Sequence, residues 1–250
     1  MYLPQFDDDR DECMKAARAA GVYYTALPNI DVESMAQVKQ MMRAYPNQVI
    51  GMMGLHPSSV KEDFQLSLNS IKNELDTGSY MAVGEIGIDL YWDKTYIEEQ
   101  KEAFKIQLGW AKEKLIPVAI HSRDSFKEVC EVLDAVYDES LSGVFHCFTG
   151  NEGEMEKALS YDNFYLGIGG VLTFKNSGLD MVIGKADINR LVLETDAPYL
   201  TPHPFRGKRN ETAYTKIVAE KLAEVFEISL EEVAQITTAN AHTLFKMDGL

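Results

Sequence analysis

Short apolar stretches alternate with helical segments along the whole sequence. Each apolar stretch is bounded by turn residues, which is typical of a buried strand. We predict seven strands, near residues 22, 49, 81, 117, 143, 164 and 191. Repeated strand–helix units imply a parallel sheet covered by helices. The sequence therefore predicts an α/β fold.

The residues at which four of these strands end narrow the fold further. Glu85, His121, His146 and Asp196 each end a different apolar stretch, and the first stretch covers residues 81–85. In a (β/α)8 barrel of the TIM type all strands end at one mouth, whereas an open sheet spreads its strand ends. We predict a single barrel domain over residues 1–250. Since such a barrel has eight strands, we also expect that its first strand is missing before Met1.

These four side chains predict a metal site. Two imidazoles and two carboxylates suit Zn, Mn or a similar divalent ion. A buried carboxylate without a partner costs several kcal/mol, so Glu85 needs a cation nearby. In the alternative interpretation each residue is a polar side chain satisfied where its strand ends. Four residues at equivalent places make that alternative the less favoured one.

Two further residues at strand ends are candidates for binding substrate. His56 ends another predicted strand and could touch substrate or a metal-bound water, while a loop histidine held by Pro57 is an equally weighted alternative. Arg123 lies two residues after His121, so it could reach a phosphate from the same rim. An exposed arginine paired with a neighbouring carboxylate is the comparable alternative for Arg123.

A cationic loop follows the last predicted strand. It contains Arg206, Lys208 and Arg209 around the flexible Gly207. Barrels often bind phosphate with the loops after their final strands, and arginine can engage two phosphate oxygens at once. A solvated basic loop is the alternative, but the position of the loop beside Asp196 favours phosphate binding.

Charge and cysteine content limit the classes of function. The formal net charge of −15 argues against a protein that coats nucleic acid through a general basic surface, but not against an enzyme that binds one or two phosphates locally. The three scattered cysteines indicate reduced thiols and a cytoplasmic protein. No apolar run has the length of a membrane span. We expect a monomer that does not bind membranes.

Several motifs resemble those of the TatD family of metal-dependent deoxyribonucleases. In chain order they are Gly54-Leu55-His56-Pro57, Gly84-Glu85-Ile86-Gly87-Ile88-Asp89, His121-Ser122-Arg123, His146-Cys147-Phe148, Glu194-Thr195-Asp196-Ala197-Pro198-Tyr199-Leu200 and Arg206-Gly207-Lys208-Arg209-Asn210-Glu211. The resemblance implies a barrel, two divalent metals (Zn, Mn or Mg) and hydrolysis of DNA phosphodiester bonds. By analogy Glu85 would bridge the two metals, His121 and His146 would hold one, and Asp196 would hold the other.

One family motif is absent from this sequence. The family begins with a strand ending in His-x-His, and this chain begins at the segment that follows that strand. Strand counting and motif matching point to the same gap, so we expect one of the two metal sites to be impaired. A smaller departure is Thr212, where the family has a proline after Asn-Glu.

Three hypotheses for the function follow. The preferred one is a metal-dependent 3′-5′ exonuclease on single-stranded DNA, in which Glu85 and Asp196 serve catalysis and Asp196 orients or deprotonates the attacking water. His56, Arg123 and Arg206 would then contact the substrate. In the second hypothesis the same barrel hydrolyses a small amide, ester or lactone. In the third, a truncated form has weak or no activity.

Overall fold

The computed structural model describes residues 1–247 and has the predicted alternation of strands and helices. Seven strands lie in the described chain: β1 (Thr25–Leu27), β2 (Val49–Gly51), β3 (Val83–Asp89), β4 (Val118–Arg123), β5 (Gly143–Phe145), β6 (Phe164–Ile168) and β7 (Leu191–Leu193). The α-helices of the same residues are α1 (Arg10–Ala19), α2 (Met35–Ala44), α3 (Phe64–Thr77), α4 (Ile97–Lys114), α5 (Phe126–Val136), α6 (Glu152–Leu159), α7 (Leu179–Ile183), α8 (Thr215–Phe226) and α9 (Leu230–Phe245). The seven predicted strands are confirmed.

The chain divides into two compact units. The first, here called the Glu85 unit, consists of Ala26–His146 and Tyr161–Phe164. The second, called the Asp196 unit, consists of Met1–Thr25, Cys147–Ser160 and the chain from Tyr165 onward. The predicted single domain over residues 1–250 stays a prediction. No helix within residues 1–247 is long and apolar enough to cross a membrane.

Parallel strands form the centre of the Glu85 unit. β3 pairs with β4, placing Gly87 beside His121 and Asp89 beside Arg123, and β4 pairs with β5. Every residue of β3 is buried, as expected for a parallel strand covered on both faces. Helix α4 packs against β3 and contributes the buried Phe104 to the core. This packing fixes the ends of β3 and β4, where the polar side chains lie.

The end of β3 differs from the prediction. The strand predicted to stop at Glu85 continues to Asp89, because Gly87 lets the chain pass close to its neighbour. Gly87 has φ +140°, and a Cβ there would lie 2.0 Å from the carbonyl oxygen of His121. Glycine is the residue that tolerates both conditions. The glycine that looked like a strand boundary is therefore part of the strand.

The Asp196 unit contains a second parallel pair. In it β6 and β7 align Leu166 with Leu191 and Ile168 with Leu193. Helix α9 packs against β7, and the side-chain amide of its buried Asn240 donates to the carbonyl oxygen of Leu191 at 2.7 Å. A polar side chain thereby satisfies a strand end that helix packing would otherwise seal from water.

Candidate metal centre

Three histidines surround one carboxylate oxygen in the Glu85 unit. Oε1 of Glu85 lies 2.9 Å from Nδ1 of His121, 3.7 Å from Nε2 of His56 and 3.8 Å from Nε2 of His146. Side-chain exposure is between 10% and 19% for all four residues. The structure thus brings together three residues of the predicted metal site and adds His56 to them.

The pairing of β3 with β4 explains how His121 is held. Side chains alternate along a strand, so Glu85, Gly87 and Asp89 share one face. His121 lies beside Gly87 and between the two acids, with Nδ1 2.9 Å from Glu85 and Nε2 2.9 Å from Asp89. Both ring nitrogens therefore have carboxylate partners, which fixes the orientation of the imidazole.

Burial and neighbouring charges set the protonation of this cluster. Burial alone would lower the pKa of His121, but its hydrogen bonds to Asp89 and Glu85 raise the pKa to about 9. Burial lowers the pKa of His56 to about 4. Burial alone would raise the pKa of Glu85, yet the charges of His146 and His121 hold that pKa well below its usual range. At neutral pH an ionised Glu85 lies beside a protonated His121 and a neutral His56.

The donor set fits a divalent transition metal. A carboxylate oxygen of Glu85 and one ring nitrogen each of His56 and His121 lie within 4.8 Å of one another. Two ligands bound at ~2.0–2.1 Å to a tetrahedral ion are roughly 3.4 Å apart. The 3.7 and 3.8 Å from Glu85 to His56 and His146 are near that spacing. An ion bound here would displace the proton that His121 shares with Glu85.

Asp89 is a site residue that the sequence prediction missed. Its Oδ2 meets Nε2 of His121, and its Oδ1 accepts a hydrogen bond from the backbone N–H of Tyr91 at 3.0 Å. Histidines that bind metals commonly donate their second N–H to a carboxylate, which sets the tautomer. The available signal was the spacing of Glu85 and Asp89, which puts both acids on one face of an extended strand.

Two buried glutamines of α4 support the backbone around the cluster. Gln107 accepts from the N–H of Leu55 at 2.7 Å and donates to its carbonyl at 3.2 Å, next to His56. Gln100 makes the same pair of bonds with the backbone of Asp89, at 2.9 and 3.3 Å. Gln100 is 4% exposed and Gln107 is 1% exposed. The backbone groups of Leu55 and Asp89 therefore have these buried side chains as hydrogen-bond partners in place of water. The sequence signal that could have identified these two residues is their spacing, which places two polar side chains two turns apart on a buried helix face.

Arg123 is the last residue of β4, which runs two residues beyond the predicted end at His121. Its guanidinium carbon is 3.8 Å from the centre of the Tyr91 ring and 5.4 Å from that of Trp92. Arginine stacks readily on aromatic faces. The predicted contact of Arg123 with substrate stays a prediction, as does that of His56.

Asp196 and Arg206 lie in the Asp196 unit. Asp196 has φ +56°, a conformation that Asp tolerates better than most residues. Its turn is held by the buried Asn210, whose side-chain amide donates to the carbonyl oxygens of Thr195 and Tyr199 at 2.6 Å each. The guanidinium of Arg206 lies 3.7 Å from the centre of the Phe174 ring. The predicted roles of Asp196 and Arg206 stay predictions.

Arg209 of the cationic loop has a different role from the one its position suggested. Its Nη2 donates to Oδ2 of Asp9 at 2.6 Å and to Oε1 of Glu211 at 2.9 Å, and its Nη1 donates to the carbonyl of Gln5 at 2.6 Å. These bonds raise its pKa still further. Arg209 therefore ties the loop to the start of the chain, and its charge is already neutralised there.

A comparison with protein families assigns the chain to a family. A family model described as TatD related DNase matches residues 1–246. A Bacillus subtilis (strain 168) protein, named as the uncharacterized metal-dependent hydrolase YabD, is 39% identical over 98% of this chain and 95% of that protein. The chain belongs to the TatD family of metal-dependent hydrolases.

Other TatD family proteins are similar along their length. The 3′-5′ ssDNA/RNA exonuclease TatD of Salmonella typhimurium is 31% identical, over 97% of this chain and 95% of that protein. The crystal structure of YJJV, the TatD homolog of Escherichia coli K12, has a TM-score of 0.89 and 29% identity, covering 98% of this chain and 94% of that one. These likenesses confirm an α/β fold of the TIM-barrel type.

The same coverage bears on the expected gap at the start of the chain. This TatD family member spans 95% of the Bacillus subtilis relative and 94% of the Escherichia coli structure. The predicted loss of a first strand is not supported by these matches. The predicted impairment of one metal site stays a prediction.

Proposed function

We propose that this TatD family hydrolase cleaves phosphodiester bonds of single-stranded DNA in a metal-dependent reaction, removing nucleotides from the 3′ end. The observation that carries the proposal is the single oxygen of Glu85 surrounded by the imidazoles of His56, His121 and His146. The substrate is supported by relatives at about 30% identity that are named 3′-5′ ssDNA/RNA exonucleases.

Glu85, His121 and His146, with His56 beside them, are the proposed metal ligands. When bound there, a divalent ion supplies Lewis acidity toward a phosphoryl oxygen and a water of lowered pKa. Glu85 contributes a charge that stays ionised at neutral pH because its pKa is held below the usual range. Asp89 holds the ring of His121 in one orientation through the 2.9 Å contact to Nε2.

His56 has two alternative roles in the proposal, as a metal ligand or as a donor to phosphate. With its pKa lowered to about 4, the ring is neutral at neutral pH and offers either a lone pair to a metal or an N–H to a phosphate oxygen. When Nδ1 of His56 accepts from the backbone N–H of Ser58 at 3.1 Å, Nε2 carries the proton and can donate to a phosphate oxygen. In the other tautomer Nδ1–H donates to Oγ of Ser58 at 2.7 Å, and Nε2 faces Glu85 with a lone pair. His56→Gln should therefore raise the KM for DNA.

Asp196, Arg206 and Arg123 enter the proposal through the family motifs. Asp196 would orient or deprotonate the attacking water, and the two arginines would contact phosphate oxygens. Asp196→Asn keeps the shape of the side chain but removes the base, so kcat should fall by roughly 10²–10⁴-fold. An unchanged kcat in this variant would remove Asp196 from the proposal.

Cleavage of a 5′-labelled single-stranded oligonucleotide tests the proposed function. We expect a ladder that shortens from the 3′ end, stops after chelation and resumes when Mn²⁺ or Zn²⁺ is restored. Glu85→Gln should be inactive, whereas Glu139→Gln, which changes an exposed glutamate of the same unit, should match the wild type. Cleavage in the presence of chelator, or full activity in Glu85→Gln, would refute the proposal.

The hydrolysis of a small ester, amide or lactone is the rival that the same centre allows. An activated water attacks acyl carbon as readily as phosphorus, so the substrate panel must include both. Turnover of p-nitrophenyl esters or lactones with no turnover of any oligonucleotide would favour the rival function. Turnover of the oligonucleotide alone would favour the nuclease.

A further inference from the structure

Two large aromatic side chains stand exposed in the Glu85 unit directly after β3. Tyr91 is 51% exposed and Trp92 is 74% exposed. Tryptophan is highly buried on average, so two adjacent rings this exposed are unusual. The adjacent end of β4 supplies Arg123, also exposed, whose guanidinium lies over the Tyr91 ring.

The three side chains form one surface, here called the Tyr91–Trp92–Arg123 platform. The centres of the two rings are 4.7 Å apart and their planes meet at 89°. The guanidinium carbon of Arg123 is 3.8 Å from the centre of the Tyr91 ring and 5.4 Å from that of Trp92. Arg123 thus stacks on the Tyr91 ring, while most of the Trp92 side chain stays exposed to solvent.

The platform is connected to the candidate metal centre through Asp89. The backbone N–H of Tyr91 donates to Oδ1 of Asp89 at 3.0 Å, and Oδ2 of the same carboxylate meets Nε2 of His121 at 2.9 Å. Arg123 pairs with Asp89 across the two strands and lies two residues, or about 7 Å, beyond His121. A polymer bound at the centre would therefore pass the platform within one or two monomers.

We propose that this platform binds a nucleobase of the single-stranded DNA substrate, one or two nucleotides from the bond that is cleaved. The inference rests on the proposed nuclease function. Aromatic rings and arginine are the groups on which single-stranded bases stack, and every base offers a π-face to them. In a chain of net charge −15 the platform also places one cation where a phosphate backbone would run. The platform therefore predicts binding with little preference for sequence.

An oligomer without nucleobases separates the contribution of base stacking from that of phosphodiester cleavage. The test compares Trp92→Ala with the wild type on oligo(dT) and on an oligomer of the same length made of abasic residues. We expect kcat/KM for oligo(dT) to fall about tenfold, mostly through KM, and the value for the abasic oligomer to change less than twofold. Trp92→Phe should recover most of the loss. No loss on oligo(dT), or an equal loss on both oligomers, would overturn the proposal.

The chain offers a matched control for this experiment. Tyr23 is 57% exposed, and the guanidinium carbon of Arg18 lies 5.5 Å from its ring centre. Tyr23→Ala therefore removes another exposed aromatic ring beside an arginine, elsewhere on the chain. We expect it to leave both kcat/KM values unchanged. A tenfold loss in Tyr23→Ala would show that exposed aromatics in general, and not the platform, bind the substrate.

Fluorescence tests the platform without relying on cleavage. The chain has two tryptophans, so in a Trp110→Phe protein the emission comes from Trp92 alone. Oligo(dT) added with chelator should quench this emission, and the abasic oligomer should not. Quenching in a protein that cleaves no DNA would refute the nuclease function but support base binding by the platform. Cleavage without quenching would support the nuclease function and refute base binding by the platform. Self-association that Trp92→Ala abolishes would assign the platform to a second copy and overturn the proposal.

Discussion

Residues 1–247 hold two clusters of acidic and metal-binding side chains, and the clusters differ in the groups that surround their carboxylates. His56, Glu85 and His121 form one cluster, and Asp9, Cys13 and Glu211 form the other, each with donor atoms within 4.8 Å of one another. The side chains that face Glu85 are imidazoles. The second cluster is occupied by Arg209, which donates to all three of its members.

This difference shows that the closeness of donor atoms alone does not predict a metal site. Arg209 already pairs with both Asp9 and Glu211, and burial raises the pKa of the Cys13 thiol to about 11, so the thiol is protonated at neutral pH. A thiolate is the form that binds metal. Imidazoles, by contrast, bind metal ions in their neutral form, which His56 has at neutral pH. The first cluster is suited to bind an ion and the second to hold the chain together.

The largest expected effect separates the two clusters by activity. Glu85→Gln removes the charge at the centre of the first cluster, so cleavage of single-stranded DNA should fall at least about 10³-fold. Circular dichroism of the variant should match the wild type. A Glu85→Gln protein that is folded and retains more than a tenth of the activity would contradict this prediction.

The next largest effect separates the two clusters by their contribution to thermal stability. Arg209→Met leaves Asp9 and Glu211 without their shared cation, so the melting temperature should fall by about 5 °C. Lys221→Met is the control, since Lys221 pairs with Glu224 on the surface and such pairs contribute little. Its melting temperature should change by no more than about 1 °C. Equal shifts in the two variants would show that the Arg209 cluster does not stabilise the fold.

A smaller effect concerns the carboxylate behind His121. Asp89→Asn removes the negative charge that faces Nε2 of His121, and an amide oxygen held by the N–H of Tyr91 leaves only an NH2 group toward the ring, so the affinity for Zn²⁺ should fall by about 10–100-fold. Asp93→Asn changes an exposed acid four residues later and should leave the affinity unchanged. Competition with a chelating dye measures both. Equal affinities in Asp89→Asn and the wild type would show that Asp89 does not tune the centre.

The smallest effect concerns the helix that supports the first cluster. Gln107→Leu leaves the buried N–H and carbonyl of Leu55 without partners and should lower the free energy of unfolding by about 1.5 kcal/mol. Gln65→Leu, on an exposed position of α3, should change it by less than about 0.5 kcal/mol. Urea unfolding gives both values. A free energy of unfolding unchanged in Gln107→Leu would mean that the glutamine merely fills space.

Much of the fold and of the first cluster could be predicted because the signals are local. Apolar stretches that end in Glu85, His121 and His146 identify both the strands and their polar ends. The end of β3 was misjudged, because the closeness of Gly87 to the backbone of His121 is a contact between strands and is not written in either segment. Glycine in isolation looks like a boundary.

The second cluster could not be predicted for a related reason. Arg209 looked like a phosphate ligand because its charge was counted without its partners. Its partner Asp9 is 200 residues away in the sequence, so no local pattern reveals the pair. The platform was missed likewise, because the contact between Tyr91 and Arg123 joins the ends of two separate strands.

Titration of the metal-free protein with Zn²⁺ tests the central claim that the first cluster, and not the second, binds a metal ion. Isothermal titration of the wild type, Glu85→Gln and Glu211→Gln gives the stoichiometry at each cluster. We predict at least one ion per chain in the wild type, the same number in Glu211→Gln, and at least one ion fewer in Glu85→Gln. Unchanged binding in Glu85→Gln together with a lost ion in Glu211→Gln would contradict the account.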